Sequence, residues 1–216
     1  MPQLFDRSFN YLSRISIIAI GVLVAAGVTA AAFIYRSPVI RGQQMVVEQP
    51  VPFSHEHHVA GLGIDCRFCH WSVEKSSFAG IPPTKVCMTC HSQVFTDAPM
   101  LEPVRESFRS DQPIQWVKVH DLAKFVYFNH SIHIAKGIGC NECHGRIDKM
   151  SLTFQESTLY MQWCLQCHRE PERFVRPKDQ VFNMAYQQPA NQAELGKQLV
   201  QEYQIENKVN CSTCHH

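Results

Sequence analysis

Excess charge is the first thing this chain lacks. Lys and Arg number 20 against 19 Asp and Glu in 216 residues, for a formal net charge of +1. A chain without a basic surplus carries no electrostatic footprint for nucleic acid. No Gly-rich loop able to cradle a nucleotide's phosphates is present, and no catalytic triad is evident. Spare cysteine is absent too. All ten cysteines fall into five Cys-x-x-Cys-His units, beginning at Cys66, Cys87, Cys140, Cys164 and Cys211 and closing on His70, His91, His144, His168 and His215.

That spacing has a chemical reason. Two thiols three positions apart reach the two vinyl groups of one haem, and the next residue offers its imidazole to the iron. The cysteine pairs Cys66/Cys69, Cys87/Cys90, Cys140/Cys143, Cys164/Cys167 and Cys211/Cys214 are therefore read as five covalent haem c sites, with the five following histidines as proximal ligands. Half a zinc site or a redox dithiol would explain a single Cys-x-x-Cys. Zinc would leave one of five units unpaired and gives no reason for a histidine after every second cysteine. Cys-x-x-Cys-Lys, used at the catalytic iron of some multihaem nitrite reductases, does not occur.

Haem alters what length and charge imply. From Arg36 onward 181 residues must wrap five porphyrins, so short helices and loops around a haem-dominated core are expected, mainly α and irregular with little sheet. Ten ionised propionates would take the +1 of the polypeptide to about −9, and five ferric irons would bring it back to about −4.

Long apolar runs are also scarce, with one exception. Ile15 to Tyr35 is 21 residues without a charge, bounded by Arg14 and Arg36, just enough for a helix to span a bilayer. A cleaved export signal is the competing reading, since Arg7 and Arg14 give a basic start and Ala30-Ala31-Ala32 gives small residues; the run is longer than a cleaved signal needs. Covalent haem attachment of this type takes place outside the cytoplasmic membrane. The chain is thus expected to be single-pass in that membrane, with its haem domain on the periplasmic or outer face and Met1 inside.

Residues 1–36 form the expected anchor, 37–52 an extended linker and 53–216 the haem domain. Within the last, Phe53-Ser54-His55-Glu56-His57-His58 before Cys66 repeats as Phe128-Asn129-His130-Ser131-Ile132-His133 before Cys140. The offsets agree: 75 from His55 to His130, 74 from Cys66 to Cys140 and 77 from Cys87 to Cys164. A dihaem module used twice, 53–110 and 111–180, is followed by a single haem in 181–216. Before the last motif, Asn191 and Glu194 resemble a capping box opening a helix with an apolar stripe of Leu195, Leu199, Val200 and Tyr203.

Seven histidines remain for the second axial positions. His55/His58 and His130/His133 are i, i+3 pairs, so one helical turn can serve two adjacent irons. With His120 they make five distal candidates; His57 and His216 are read as surface residues. Met150 and Met161 are the alternatives for a His/Met haem, although methionine is more often core filler.

The Phe-x-His-x-x-His approach to a haem motif resembles the small multihaem cytochromes of the c3 and c7 class. With the anchor, the two dihaem units, Trp116 to His133 ending Phe125-Val126-Tyr127-Phe128-Asn129-His130, and Trp163-Cys164-Leu165-Gln166-Cys167-His168-Arg169, the whole chain resembles the pentahaem cytochrome subunit of bacterial alternative complex III. Related subunits occur in menaquinone reductase complexes. The resemblance implies an electron wire without a substrate site of its own. Its implied partners are polytopic quinol-oxidising membrane subunits, an iron–sulfur protein of the molybdopterin-oxidoreductase type, and a monohaem cytochrome c or terminal oxidase as acceptor. The alternative is a self-contained, anchored quinol dehydrogenase feeding a periplasmic reductase. The 30 residues between Tyr35 and Cys66 hold the first motif away from the bilayer surface that such an enzyme needs.

Overall fold

The computed structural model describes residues 5–215, so Met1 and His216 lie outside the described residues. The chain divides into two compact units, Met1–Gly42 and Gln43–His216.

The first unit is built on α1 (Ser8–Arg36), 29 residues with a mean hydropathy of 2.6 over its most apolar window and no buried side chain. It is long and apolar enough to cross a membrane. Its hydroxyls turn inward to its own backbone: Thr29 donates to the Ala25 carbonyl at 2.8 Å and Ser16 to that of Ser13 at 3.0 Å. These hydroxyls are thus satisfied without solvent, as a hydrocarbon setting requires. Pro38 ends the helix through its neighbour, because the proline ring drives Ser37 out of the helical region to ψ 150°. A single turn, α2 (Pro38–Arg41), follows.

The second unit has no strand among its described residues, only four isolated bridges. Its helices are short. A π-turn over Glu56–Gly61 precedes α3 (Cys66–Cys69); α4 (Thr84–His91) and α5 (Glu102–Ser110) complete the first half. Then come α6 (His130–Ala135), α7 (Cys140–His144), α8 (Met161–Arg169), α9 (Gln192–Glu202) and α10 (Cys211–Cys214). Every Cys-x-x-Cys pair sits on one turn of helix, which sets residues i and i+3 on the same side. The last turns of α4 and α8 carry their motifs, and α3, α7 and α10 are little more than the motifs themselves.

The interval expected to link the two parts is only partly free. From Gln43 it belongs to the second unit: Gln43 and Val46 bridge to Gln155 and Phe154, Gln49 exchanges two bonds with the backbone of Val117, and Val51 is buried. Glutamine side chains that reach across to backbone groups replace the apolar periodicity the segment lacks.

Ordinary side-chain packing concentrates near the C-terminus, where Val175, Leu199 and Tyr203 are buried and Leu195, Val200 and Ile138 close around them. The expected stripe of α9 is therefore a packing face. The expected capping box does not form: Asn191 has near-helical angles (φ −97°, ψ 27°) and no side-chain cap bond, while its carbonyl accepts from the Leu195 amide at 3.1 Å. At Gly196 a Cβ would stand 1.9 Å from the Glu172 carbonyl oxygen, so α9 meets the turn Pro171–Arg173 backbone to backbone. Gly196→Ala should cost about 1–3 kcal/mol through this overpacking, read as a lowered urea midpoint.

Candidate functional site

The sequence repeat is reproduced side chain by side chain. The Phe53 ring meets His55 edge-on at 4.9 Å and stacks on His58 at 4.4 Å and 23°. Phe128 meets His130 edge-on at 4.7 Å and stacks on His133 at 4.6 Å and 27°. His58 then lies 6.2 Å from His91 at 64°, and His133 lies 6.1 Å from His168 at 70°. His130 faces His144 at 6.4 Å with nearly parallel rings.

Hydrogen bonds fix how these rings are turned. His58 Nδ1 is 2.8 Å from the Ser54 carbonyl and His133 Nδ1 is 2.7 Å from that of Asn129, the same i−4 bond in both repeats. His70, His91 and His130 direct Nδ1 at the carbonyls of Gly80, Val94 and Ser77, at 2.6, 3.1 and 2.9 Å. His55 Nδ1 is 3.0 Å from Thr153 Oγ1. A carbonyl acceptor selects the Nδ1–H tautomer, leaving the Nε2 lone pair for a metal.

Burial sets the charge state. It pushes His55 and His120 down to about 4 and His144 down to about 3, and it lowers His133 as well. At neutral pH these rings are uncharged, the form that binds a metal. The thiols move the opposite way. Burial raises Cys143 to about 12 and Cys140 and Cys167 to about 11, and raises Cys66, Cys69, Cys87 and Cys164. A redox dithiol needs a depressed thiol pKa, so these pairs are unsuited to that chemistry. Among the described residues no three His, Cys, Asp or Glu side chains converge as a direct metal cluster.

The motif cysteines differ in their cover. Cys90 and Cys211 are exposed, whereas the other eight are partly covered. Cys90 lies on the last turn of α4, and the turn that follows bonds back to its carbonyl through the Val94 amide at 3.0 Å while leaving Val94 and Phe95 exposed. Cys211 opens α10, a single turn that follows a run of exposed residues from Glu206 to Asn210. Both keep the one-turn spacing to their partners, Cys87 and Cys214, so exposure changes how well these sites are shielded and leaves their reach to a vinyl group intact.

The remaining candidates fall differently. His120 packs 4.3 Å from the His144 ring, its Nε2 buried without a hydrogen-bond partner; no described contact joins it to His215. His215 lies instead against Phe125 at 5.5 Å. His57 is exposed and touches the His58 ring edge-on. Met150 is buried in the protein interior, whereas Met161 is 60% exposed at the start of α8.

The surroundings fit porphyrin. Among the described residues few apolar side chains are buried, while Phe68, Trp71, Phe78, Phe95, Phe125 and Tyr127 are each more than half exposed. A flat apolar group covering these rings supplies the core that side chains do not. Two imidazoles on opposite faces of one metal, each bonded at about 2 Å, hold their ring centres roughly 6 Å apart, close to the spacing of the three facing pairs.

Sequence reasoning did not find Thr153, Ser77, Gly80 or Val94 as anchors of the rings. It also missed Arg176, 1% exposed, whose guanidinium pairs with Glu142 between the two cysteines of α7.

Five attachment motifs in a sheetless unit, with histidines aimed to face one another, define a multihaem cytochrome c. Residues 126–216 match the family model described as cytochrome c7 and related cytochrome c. The chain is also 39% identical over 98 residues to the menaquinone reductase multiheme cytochrome c subunit of Nitratidesulfovibrio vulgaris. That match covers 45% of this chain and 46% of the relative, so it spans less than half the relative's length.

Proposed function

We propose that this chain is a membrane-anchored pentahaem electron carrier in a quinone-linked oxidoreductase complex, without a substrate site of its own. The facing of His58 with His91, His133 with His168 and His130 with His144 carries this reading. With a histidine from the chain available on each side, these sites would leave a bound haem no room for substrate and would suit it to electron exchange.

Cys66/Cys69, Cys87/Cys90, Cys140/Cys143, Cys164/Cys167 and Cys211/Cys214 would hold the five haems, with His70, His91, His144, His168 and His215 as proximal ligands. Haem, when bound, supplies a one-electron ferric/ferrous couple. The chain's residues orient it and exclude water: His58, His130 and His133 serve the second, third and fourth sites, and their Nδ1 anchors hold each ring at a fixed rotation. The repeat assigns His55 to the first site. His120 is the fifth distal candidate, supported by its buried, partnerless Nε2. The His130 ring at 6.4 Å suits the far side of a metal held by His144 better than the His120 ring at 4.3 Å. Bis-histidine ligation throughout leaves Met150 as a buried packing residue and Met161 as an exposed residue at the start of α8.

Retention of α1 would anchor the haem unit at the outer face of the cytoplasmic membrane. A chain starting at Gln43 behind a cleavable export signal should then appear haem-loaded in the soluble extracytoplasmic fraction, while the full chain sediments with membranes. The partners that suit this role are an iron–sulfur subunit as donor, polytopic quinol-binding subunits, and a monohaem cytochrome c or terminal oxidase as acceptor.

The test is isolation from mild detergent with haem counted by pyridine haemochrome. Five haems per chain and co-purifying iron–sulfur and polytopic subunits are expected. A lone cytochrome that takes electrons directly from a menaquinol analogue would overturn the carrier reading.

A further inference from the structure

The two repeats hold each other's first histidine. His55 Nδ1 is 3.0 Å from Thr153 Oγ1 in the segment following His144, and His130 Nδ1 is 2.9 Å from the Ser77 carbonyl in the segment following His70. The backbone repeats this exchange. The amide of Glu56, one residue past His55, donates to the Met150 carbonyl at 3.1 Å; the amide of Ser131, one residue past His130, donates to that of Ser76 at 3.2 Å. Met150 and Ser76 each stand six residues beyond the first motif histidine of the other repeat. Self-complementary contact of this kind, the same patch of each repeat meeting the same patch of the other, is the signature of a two-fold relation.

The second histidine of each repeat behaves differently. His58 and His133 bond the backbone of their own repeat, at Ser54 and Asn129, and face their own repeat's later motif histidine, His91 or His168. The first motif of each repeat therefore belongs to the junction and the second lies beyond it. The fifth motif joins through its backbone: the Tyr127 amide donates to the Cys214 carbonyl at 2.8 Å, and Val126 forms an antiparallel bridge with His215, next to Phe128 of the second repeat.

Resting on the reading that every motif holds a haem, we propose that the five sites lie in the spatial order two, one, three, four, five, with sites two and five as the ends of the series. This order departs from chain order at the first step and places the reciprocal junction between sites one and three. The two exposed motif cysteines, Cys90 and Cys211, belong to the two end sites. A protein that exchanges electrons with this chain would meet site two or site five first.

The test uses the full chain in detergent, fully reduced and diamagnetic, with through-space proton contacts recorded between haem substituents. Four neighbour pairs are expected: two with one, one with three, three with four, and four with five. C87A/C90A and C211A/C214A, which remove the end haems, assign the spectra and should each abolish one pair only. Direct contact between haems two and three, two and four, or two and five would overturn the order, as would loss of two pairs on removing either end haem. Should one variant fail to accumulate, the other still identifies its own end of the series, and an unaltered chain without two singly neighboured haems refutes the order. Fewer than five haems by pyridine haemochrome would instead count against the pentahaem reading, so the two failures are distinguishable.

Discussion

Replacing His57 and His58 together by alanine should open one iron per chain to carbon monoxide in the reduced protein, against none in the unaltered chain. His58 stacks on Phe53, is anchored by the Ser54 carbonyl and faces His91 at 6.2 Å. Alanine removes the only imidazole described there on the far side from His91, and His57 is removed as well because it adjoins His58 and could replace it. His57→Ala alone should open none, since that exposed ring only touches His58. The equivalent change at His133 should open a second iron independently, because His133 faces His168 with nearly the same geometry. A carbon monoxide titration of the Soret band reads both. A His57/His58 double variant that stays low-spin and takes up no carbon monoxide would remove His58 from the site.

Cofactor chemistry was legible because it depends on local spacing. Two thiols and an imidazole within five residues can be read without any tertiary knowledge, and one helical turn is enough to present them. The offset of 75 residues between His55 and His130 likewise marks a repeat, and the paired ring geometries of Phe53 and Phe128 are its spatial counterpart. Exposure was not legible in the same way: Cys90 has the motif context of Cys167 in the other repeat, yet only Cys90 is exposed, because cover depends on what packs against a turn and not on the spacing within it. The ring anchors were equally hidden. Gly80, Val94 and Ser77 act through backbone carbonyls, which every residue carries, so nothing in their identity marks them.

Local rules also failed where the backbone had already satisfied the groups concerned. Asn191 and Glu194 have the spacing of a capping box, but the Asn191 carbonyl takes the amides of Glu194 and Leu195 and its side chain makes no cap bond. Residues 43–52 lack apolar rhythm and read as linker, yet Gln43 and Gln49 bind the backbone of Glu156 and Val117 with their amide side chains. Polar side chains that pair with distant backbone leave no periodic trace.

Arg176 is the largest stability determinant expected outside the motifs. Its guanidinium is 1% exposed, paired with Glu142 and stacked 4.5 Å from the Tyr186 ring, and its amide donates to the Gly137 carbonyl at 2.9 Å. It lies so flat on Gly139 that a Cβ there would stand 2.2 Å from its Cζ. Arg176 therefore clamps the segment preceding α7 and, through Glu142, α7 itself. Arg176→Met would keep much of the volume and strand the Glu142 carboxylate in a poorly solvated position, for a loss of about 3–5 kcal/mol. Adding Glu142→Gln should recover part of that loss, because the stranded charge disappears with its partner. Urea unfolding of the two single variants and the double variant measures the coupling. An Arg176→Met variant within about 1 kcal/mol of the unaltered chain would show that this pair lies outside the range expected of a broken buried ion pair, and that the clamp around the third motif is held by α7 and Gly139 packing alone.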